Sequence, residues 1–304
     1  MNKKLSLISN LKGGIGNQLF QIAFGLRLSR RQNLNIEFDI GSYSSDTFKR
    51  VSILERIFNE LPIFNQSLIE TSSIRVIDEE ALDQFKHWIE GNQIDFEAGI
   101  THILLNGYWQ DSNFIEDKDT GFIRDHLIAY LTPSQKQLAY ELSSTKNSTS
   151  IHFRRHDYKH HGIVNENYYL QTINWLKKIK GPLEIIVFSD EPNYVAYLMQ
   201  NIGINATYIN SGDDLNDLAL MMHCENHIIA NSSYSWWGAK LSRQSTVIAP
   251  LDWSFMGPVS KSLCPESWIR VPNVLERTIT NIPDLQNTLD NELRRSREHA
   301  LIIK

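Results

Sequence analysis

Cysteine is nearly absent from this chain. Only Cys224 and Cys264 occur among 304 residues, too few for a disulfide framework or a four-thiolate zinc site, and a reducing compartment fits that usage. Glycine and proline are sparse as well, at 15 and 9, which excludes collagen-like and low-complexity classes. With 41% hydrophobic and 21% charged residues, the composition is that of a folded globular protein. A basic surplus is also missing. Thirty Lys and Arg stand against 35 Asp and Glu, a net charge of −5, so no general positive field exists to hold nucleic acid or an anionic membrane. Any phosphate must be met by local residues. No stretch approaches the ~18 uncharged apolar residues that span a bilayer. The apolar start Leu5 to Ile8 follows Lys3 and Lys4 but includes Ser6 and gives way to Ser9-Asn10, too short for a signal-peptide core. The sequence therefore reads as cytoplasmic, with at most peripheral membrane contact and no nucleic-acid partner. Its length allows one large or two medium domains.

Hydrophobic periodicity predicts a βαβ opening: a strand over 4–9, a glycine turn at 13–16, a helix over 17–32 and a strand over 34–38. Residues 40–100 are less legible, with helical candidates around Val51–Glu60 and Glu79–Glu90. Thr132-Pro133-Ser134 opens a further helix. The polar tract Ser143 to Thr149 follows and marks the expected domain boundary. Beyond it the pattern is regular, with strands over 149–153, 184–189, 206–209, 226–230 and 246–249 and helices over 193–201, 214–223 and 234–242. Such alternation means a parallel sheet with helices on its faces, in which ligands sit at the carboxyl ends of the strands. Leu285–Ile303 reads as an amphipathic helix whose Arg294, Arg295 and Arg297 form a solvated face or, less simply, touch a membrane-borne substrate.

Four polar clusters fall at strand ends. Gly13-Gly14-Ile15-Gly16-Asn17-Gln18 stands between strand and helix, where glycines let a ligand approach the backbone and the helix dipole favours an anion. Leu19 occupies the place of the third glycine of a dinucleotide fingerprint, although Glu37 and Asp39 lie near the ribose-binding distance. Asn17 and Gln18 are amides with no packing reason to start a helix. In Ser150-Ile151-His152-Phe153-Arg154-Arg155-His156-Asp157, alternation puts His152 and Arg154 on one face, and an arginine there is placed to grip a diphosphate. Arg155 faces the other way towards a carboxylate partner, for which Asp157 serves. A zinc site from His152, His156, His160 and His161 is the minor reading. Asp190 and Glu191 follow a buried-type strand, where a carboxylate accepts from a ribose or base, or caps the next helix. Asn231-Ser232-Ser233-Tyr234-Ser235-Trp236-Trp237 makes a hydroxyl-lined helix start, with the tryptophans read mainly as core. Asp117-Lys118-Asp119 has the form of a metal-binding D-x-D but reads as a solvated loop, and Asp213-Asp214 as a helix cap.

Gly-Gly-Ile-Gly-Asn-Gln-Leu-Phe-Gln, His-Phe-Arg-Arg-His-Asp-Tyr and Ala-Asn-Ser-Ser-Tyr-Ser-Trp-Trp-Gly-Ala, with Gly107-Tyr108-Trp109-Gln110 between, closely resemble the bacterial α-1,2-fucosyltransferases of glycosyltransferase family 11. The match runs in order over about Leu5 to Pro250. The resemblance implies an α/β, GT-B-like fold of two Rossmann-type domains whose parallel sheets face a cleft. In that division, 1–148 is the acceptor-side domain and 149–304 the GDP-fucose-binding domain, with the final helix packing back on the first. It further implies GDP-fucose as donor and a terminal β-galactoside as acceptor, including one on a lipid-linked oligosaccharide of O-antigen synthesis. Inversion at the fucose anomeric carbon and no metal or other cofactor complete the expectation. Related enzymes place the first arginine of H-x-R-R on the β-phosphate, here Arg154. They use positions matching His152, Asp190, Ser232, Ser233 and Ser235 around the nucleotide, and Asn17 facing the sugar. Gly14, Gly16, Gln18 and Asn231 complete the expected nucleotide cradle, and Asp157, His152 and Glu166 are candidates for a general base. The family's usual glycine after the two arginines is here His156. Two other functions fit the residues alone, an NAD-dependent oxidoreductase suggested by the glycine turn with Asp39, and a non-catalytic nucleotide-sugar-binding protein.

Overall fold

The computed structural model describes residues 5–277 apart from 48, 66–69, 93–95, 157, 244 and 256–261. The expected C-terminal helix 285–303 and Asp157 lie outside the described residues. The first half comprises β1 (Ser6–Asn10), α1 (Ile15–Gln32), β2 (Asn35–Asp39), α2 (Leu54–Ile57), β3 (Ile74–Asp78), α3 (Leu82–Ile89) and β4 (His102–Asn106). Two helices follow, α4 (Asp117–Tyr130) and α5 (Pro133–Ser144). The second half opens with β5 (Ser148–Phe153), β6 (Ile163–Val164), α6 (Glu166–Lys180), β7 (Glu184–Ser189), α7 (Pro192–Asn201) and β8 (Thr207–Tyr208). It closes with α8 (Asp214–Met221), β9 (Asn226–Ile228), α9 (Ser233–Leu241), β10 (Thr246–Pro250), β11 (Ile269–Val271) and β12 (Leu275–Glu276). Among the described residues, no helix is long and apolar enough to cross a membrane.

The strands form two parallel sheets, ordered β2-β1-β4-β3 and β11-β10-β9-β5-β7-β8, while β12 pairs antiparallel with β6. All six residues of β5 are buried, as befits a central parallel strand covered on both faces. In the first sheet the strand order reverses between β1 and β4, and in the second between β5 and β9. Crevices at such reversals, outside the carboxyl ends of the strands, are where α/β sheets accept ligands. The two reversal points face one cleft of about 890 Å³, which gives the α/β, GT-B-like arrangement implied by the resemblance.

One apolar cluster joins the halves. It runs from Leu19 and Phe20 of α1 through Ile123 and Leu127 of α4 and Leu142 of α5 to Leu218 of α8 and Trp236 and Trp237 of α9. The Phe20 ring lies 4.5 Å from that of Trp236 and 5.2 Å from that of Trp237, between centroids, so both tryptophans are core. The helix expected over Val51–Glu60 shrinks to the single turn of α2. Across the tract 143–149, α5 runs to Ser144 and the chain enters β5 at Ser148 through Asn147, at φ +55°. Asp117-Lys118-Asp119 is not a solvated loop either. It starts α4, where Glu116 and Asp119 form a capping box and buried Asp119 takes a 2.7 Å ion pair from Arg30.

Candidate active site

The first-half wall begins at the turn after β1. Gly13 sits at φ +81°, a left-handed conformation that glycine adopts without strain. Its carbonyl accepts from Tyr43 Oη at 3.1 Å and Gln18 Nε2 at 3.2 Å. Gly14 is the N-cap of α1, and a Cβ built there meets nothing within 4 Å, so this backbone is open to the cleft. Gly16 differs. Its Cβ would lie 2.4 Å from Ser233 C and 2.5 Å from Tyr234 N, so the close approach it permits is that of α9. Asn17 Oδ1 accepts from Ser233 Oγ at 2.7 Å and Gln110 Nε2 at 2.8 Å, a bond across the two halves. Lys49, Arg50, Arg56 and Tyr108 extend this wall.

The opposite wall stands on β5, β7 and β9. His152 and Arg154 line the cleft from one face of β5. Burial, aided by the Arg154 charge, pushes the His152 imidazole from 6.5 down to about 3, so it is neutral, and its Nδ1 has no hydrogen-bond partner among the described residues. Its ring rests 5.4 Å from that of Tyr234. The Arg154 guanidinium lies 5.5 Å above the Tyr158 ring and 3.5 Å from Asp190 Oδ2 through Nε, with its side chain 31% exposed on the cleft. Ser232 caps α9, its Oγ accepting from Tyr234 N at 3.3 Å. The N-terminus of α9, with Ser232 and Ser233, thus shares the cleft with Arg154. A cation and a helix end with its outward N–H groups suit a diphosphate.

Several expected binding residues also brace the site, Gln18 and Asp190 while lining the cleft. Gln18 is buried, with Oε1 accepting from Ile53 N and Nε2 donating to Gly13 O and Val51 O, so its amide serves the backbone. Asn231 Nδ2 donates to Gly162 O and Trp253 O at 2.8 Å, tying two loops behind the cleft. Ser235 Oγ turns back to Ser232 O inside the helix. Asp190 lines the cleft yet does not cap α7, whose N-cap is Glu191 without a side-chain bond. The Asp190 carboxylate accepts from the backbone N–H of Arg155 and His156, fixing the loop that carries Arg154.

Arg155 does face away, as alternation predicts; its described partners are Glu166 and Glu191, each at 3.0 Å, and it stacks 3.6 Å over Tyr194. Glu166, bonded also to Tyr194 Oη, is buried outside the cleft and no base for chemistry there. Asp213 caps α8 as expected and, with Asp214, receives Arg56 at 2.9 and 2.7 Å. Burial pushes the Asp213 carboxyl up, but N–H donors of Asn216 and Leu215, Tyr130 Oη and the Arg56 charge outweigh it and hold it below the usual value. Sequence reasoning missed Lys49, Arg50 and Arg56. They lie in an aperiodic stretch whose only signal was the basic pair before Val51.

A model of the family described as Glycosyl transferase family 11 matches residues 8–269. An "Alpha-1,2-colitosyltransferase" of Escherichia coli is 29% identical over 299 residues, covering 87% of this chain and 98% of that protein. The "O-antigen biosynthesis glycosyltransferase WbnK" of Escherichia coli is 28% identical over 317 residues, covering 87% and 100%. Among solved structures, fucosyltransferase NodZ from Bradyrhizobium aligns at 15% identity and TM-score 0.49, over 79% of this chain and 94% of that one.

Proposed function

The chain belongs to glycosyl transferase family 11, and on that premise we propose that it transfers L-fucose from GDP-fucose to the 2-hydroxyl of a terminal β-galactoside. The reaction inverts the fucose anomeric carbon and needs no metal. Its place is the synthesis of a surface polysaccharide such as an O-antigen, with the acceptor on a lipid-linked oligosaccharide at the cytoplasmic face of the inner membrane. The observation that carries the reading is the joint placement of Arg154 and the N-terminus of α9 at the strand-order reversal between β5 and β9, both on the cleft. Arg154 meets the β-phosphate and stabilises the charge that grows on departing GDP, while the α9 N–H groups and Ser232 share the diphosphate. Neutral His152 offers its ring nitrogen to the donor as a hydrogen-bond group; with its proton affinity so depressed, it is a poor base. In this proposal Asp157 takes the proton from the attacking hydroxyl, and Asn17, held by Gln110 and Ser233, faces the sugar.

The test is GDP release from GDP-fucose on adding lactose, with EDTA present. Arg154→Ala is expected to lower kcat by ~100- to 1000-fold with an unchanged thermal midpoint. Turnover within tenfold of the wild type would remove Arg154 from this role, and activity that requires Mn²⁺ would remove the metal-free mechanism. A second donor is favoured by the relative named as a colitosyltransferase. Colitose lacks the 3-hydroxyl of fucose, so kcat/KM for GDP-colitose against GDP-fucose decides between them. An oxidoreductase would instead bind a nicotinamide nucleotide and ignore GDP.

A further inference from the structure

The Gly107-Tyr108-Trp109-Gln110 loop after β4 is built with unusual care for a surface connection. Trp109 adopts φ +56° although it carries a bulky side chain, a left-handed conformation that costs free energy and calls for a reason. Its indole is fully buried and stacks on Phe24, with centroids 4.4 Å apart. The carboxylate of Glu79 accepts from Tyr108 N at 2.7 Å and Trp109 N at 2.9 Å. Gly107 fits only because a Cβ there would come within 2.6 Å of Glu79 Cβ, and its carbonyl accepts from buried Gln21 Nε2 at 3.0 Å. Gln110 then reaches Asn17. What this brace holds out is Tyr108, which lines the cleft and remains 40% exposed. The ammonium of Lys12 lies 5.2 Å from its ring centroid and is tethered to Asn106 Oδ1 at 2.9 Å. The loop stands at the strand-order reversal of the first sheet, across the cleft from Arg154.

We propose that Tyr108 is the platform on which the acceptor's terminal galactose stacks. The inference rests on the galactoside acceptor proposed above. Galactose presents a continuous C–H face at carbons 3, 4 and 5, and an aromatic ring is the surface that such a face covers. Stacking there leaves the 2-hydroxyl at the ring edge, directed away from the platform and available to the donor half. The left-handed turn at Trp109, with its indole buried on Phe24, anchors the loop from which Tyr108 lines the cleft.

Two measurements test this on the intact protein. In transfer assays, Tyr108→Ala is expected to raise the KM for lactose about five- to tenfold, with the KM for GDP-fucose unchanged, and Tyr108→Phe to restore it. An acceptor KM within twofold of the wild type, or an equal rise in the donor KM, would overturn the assignment. Saturation-transfer NMR with methyl β-D-galactopyranoside reads binding without turnover. The strongest signals should fall on H3, H4 and H5 in the wild type and Tyr108→Phe, and be lost in Tyr108→Ala. Equal signals from the wild type and Tyr108→Ala would overturn the platform whatever the activity. Tyr108-dependent binding of galactoside by a protein that transfers no fucose would uphold the platform and overturn the donor reading instead.

Discussion

His152 and His227 are both held neutral by burial, which pushes each from 6.5 to about 3, with the Arg154 charge adding to the effect at His152. The unfolded chain therefore takes up protons that the native state refuses. Their contribution to stability is complete above the ordinary histidine value and is lost as pH falls from 6.5 towards 3. Between about pH 7 and 5 the loss is about 2 kcal/mol per histidine. His227 is on β9, bonded to Ser150 Oγ of β5 at 2.7 Å, and is not among the residues lining the cleft. His227→Asn should reduce this histidine share of the pH dependence by about half in urea denaturation at the two pH values. An unreduced pH dependence would mean that His227 is protonated in the native state. At this scale the sequence told which residues gather, not which atoms face a ligand. His152 and Arg154 were legible because alternation along a strand assigns faces. Gln18, Asn231 and Ser235 bond backbone groups, because a polar side chain at a strand end is equally able to bind a ligand or satisfy buried backbone. Only the position of the backbone groups decides.

The turn between β1 and α1 contains two glycines with opposite reasons for being there. Gly14 is extended, at φ −75° and ψ 173°, with open space where a Cβ would stand, so Gly14→Ala should leave the thermal midpoint within ~2 °C. Its added methyl projects at the cleft and is expected to weaken GDP binding. Gly16→Ala drives a methyl into the backbone of Ser233 and Tyr234 on α9, where no flexible side chain can yield. Such overpacking costs about 1–3 kcal/mol, so the midpoint should fall by several degrees and kcat with it. Thermal shift with and without GDP separates the two, and equal behaviour of both variants would overturn this division. Among elements, those with strong period survived contact with the structure, β1, α1, β5, β7 and α9 within one or two residues. β3 escaped notice because Arg75 and Val76 are both exposed, which erases the alternation an edge strand would otherwise show. α4 was hidden by Asp117-Lys118-Asp119, which resembles a metal motif yet supplies the acidic first turn of a capped helix.

The two halves share a core, and that shapes how the whole molecule behaves. Phe20 of α1 packs on Trp236 and Trp237 of α9, α4 and α5 lie against α8, and Arg56 of α2 bridges to Asp213 and Asp214 at the start of α8. Melting one half would expose the apolar surface of the other. Calorimetry should therefore show one endotherm with calorimetric and van't Hoff enthalpies in agreement, and Arg56→Met should shift that single transition downwards without splitting it. Two resolved transitions would mean that the halves unfold independently. The sequence by itself determined the βαβ opening and most of the strand and helix alternation over 184–250, and set a glycine turn, an arginine and a hydroxyl-lined helix start each just after a strand, because periodicity and turn chemistry act over a few residues. Only the tertiary structure decided that these ends meet across one cleft, that Asn17 bonds Ser233 at a separation of 216 residues, and that Gly16 admits a helix. Those outcomes depend on how two sheets and their shared helices pack, which no local pattern encodes.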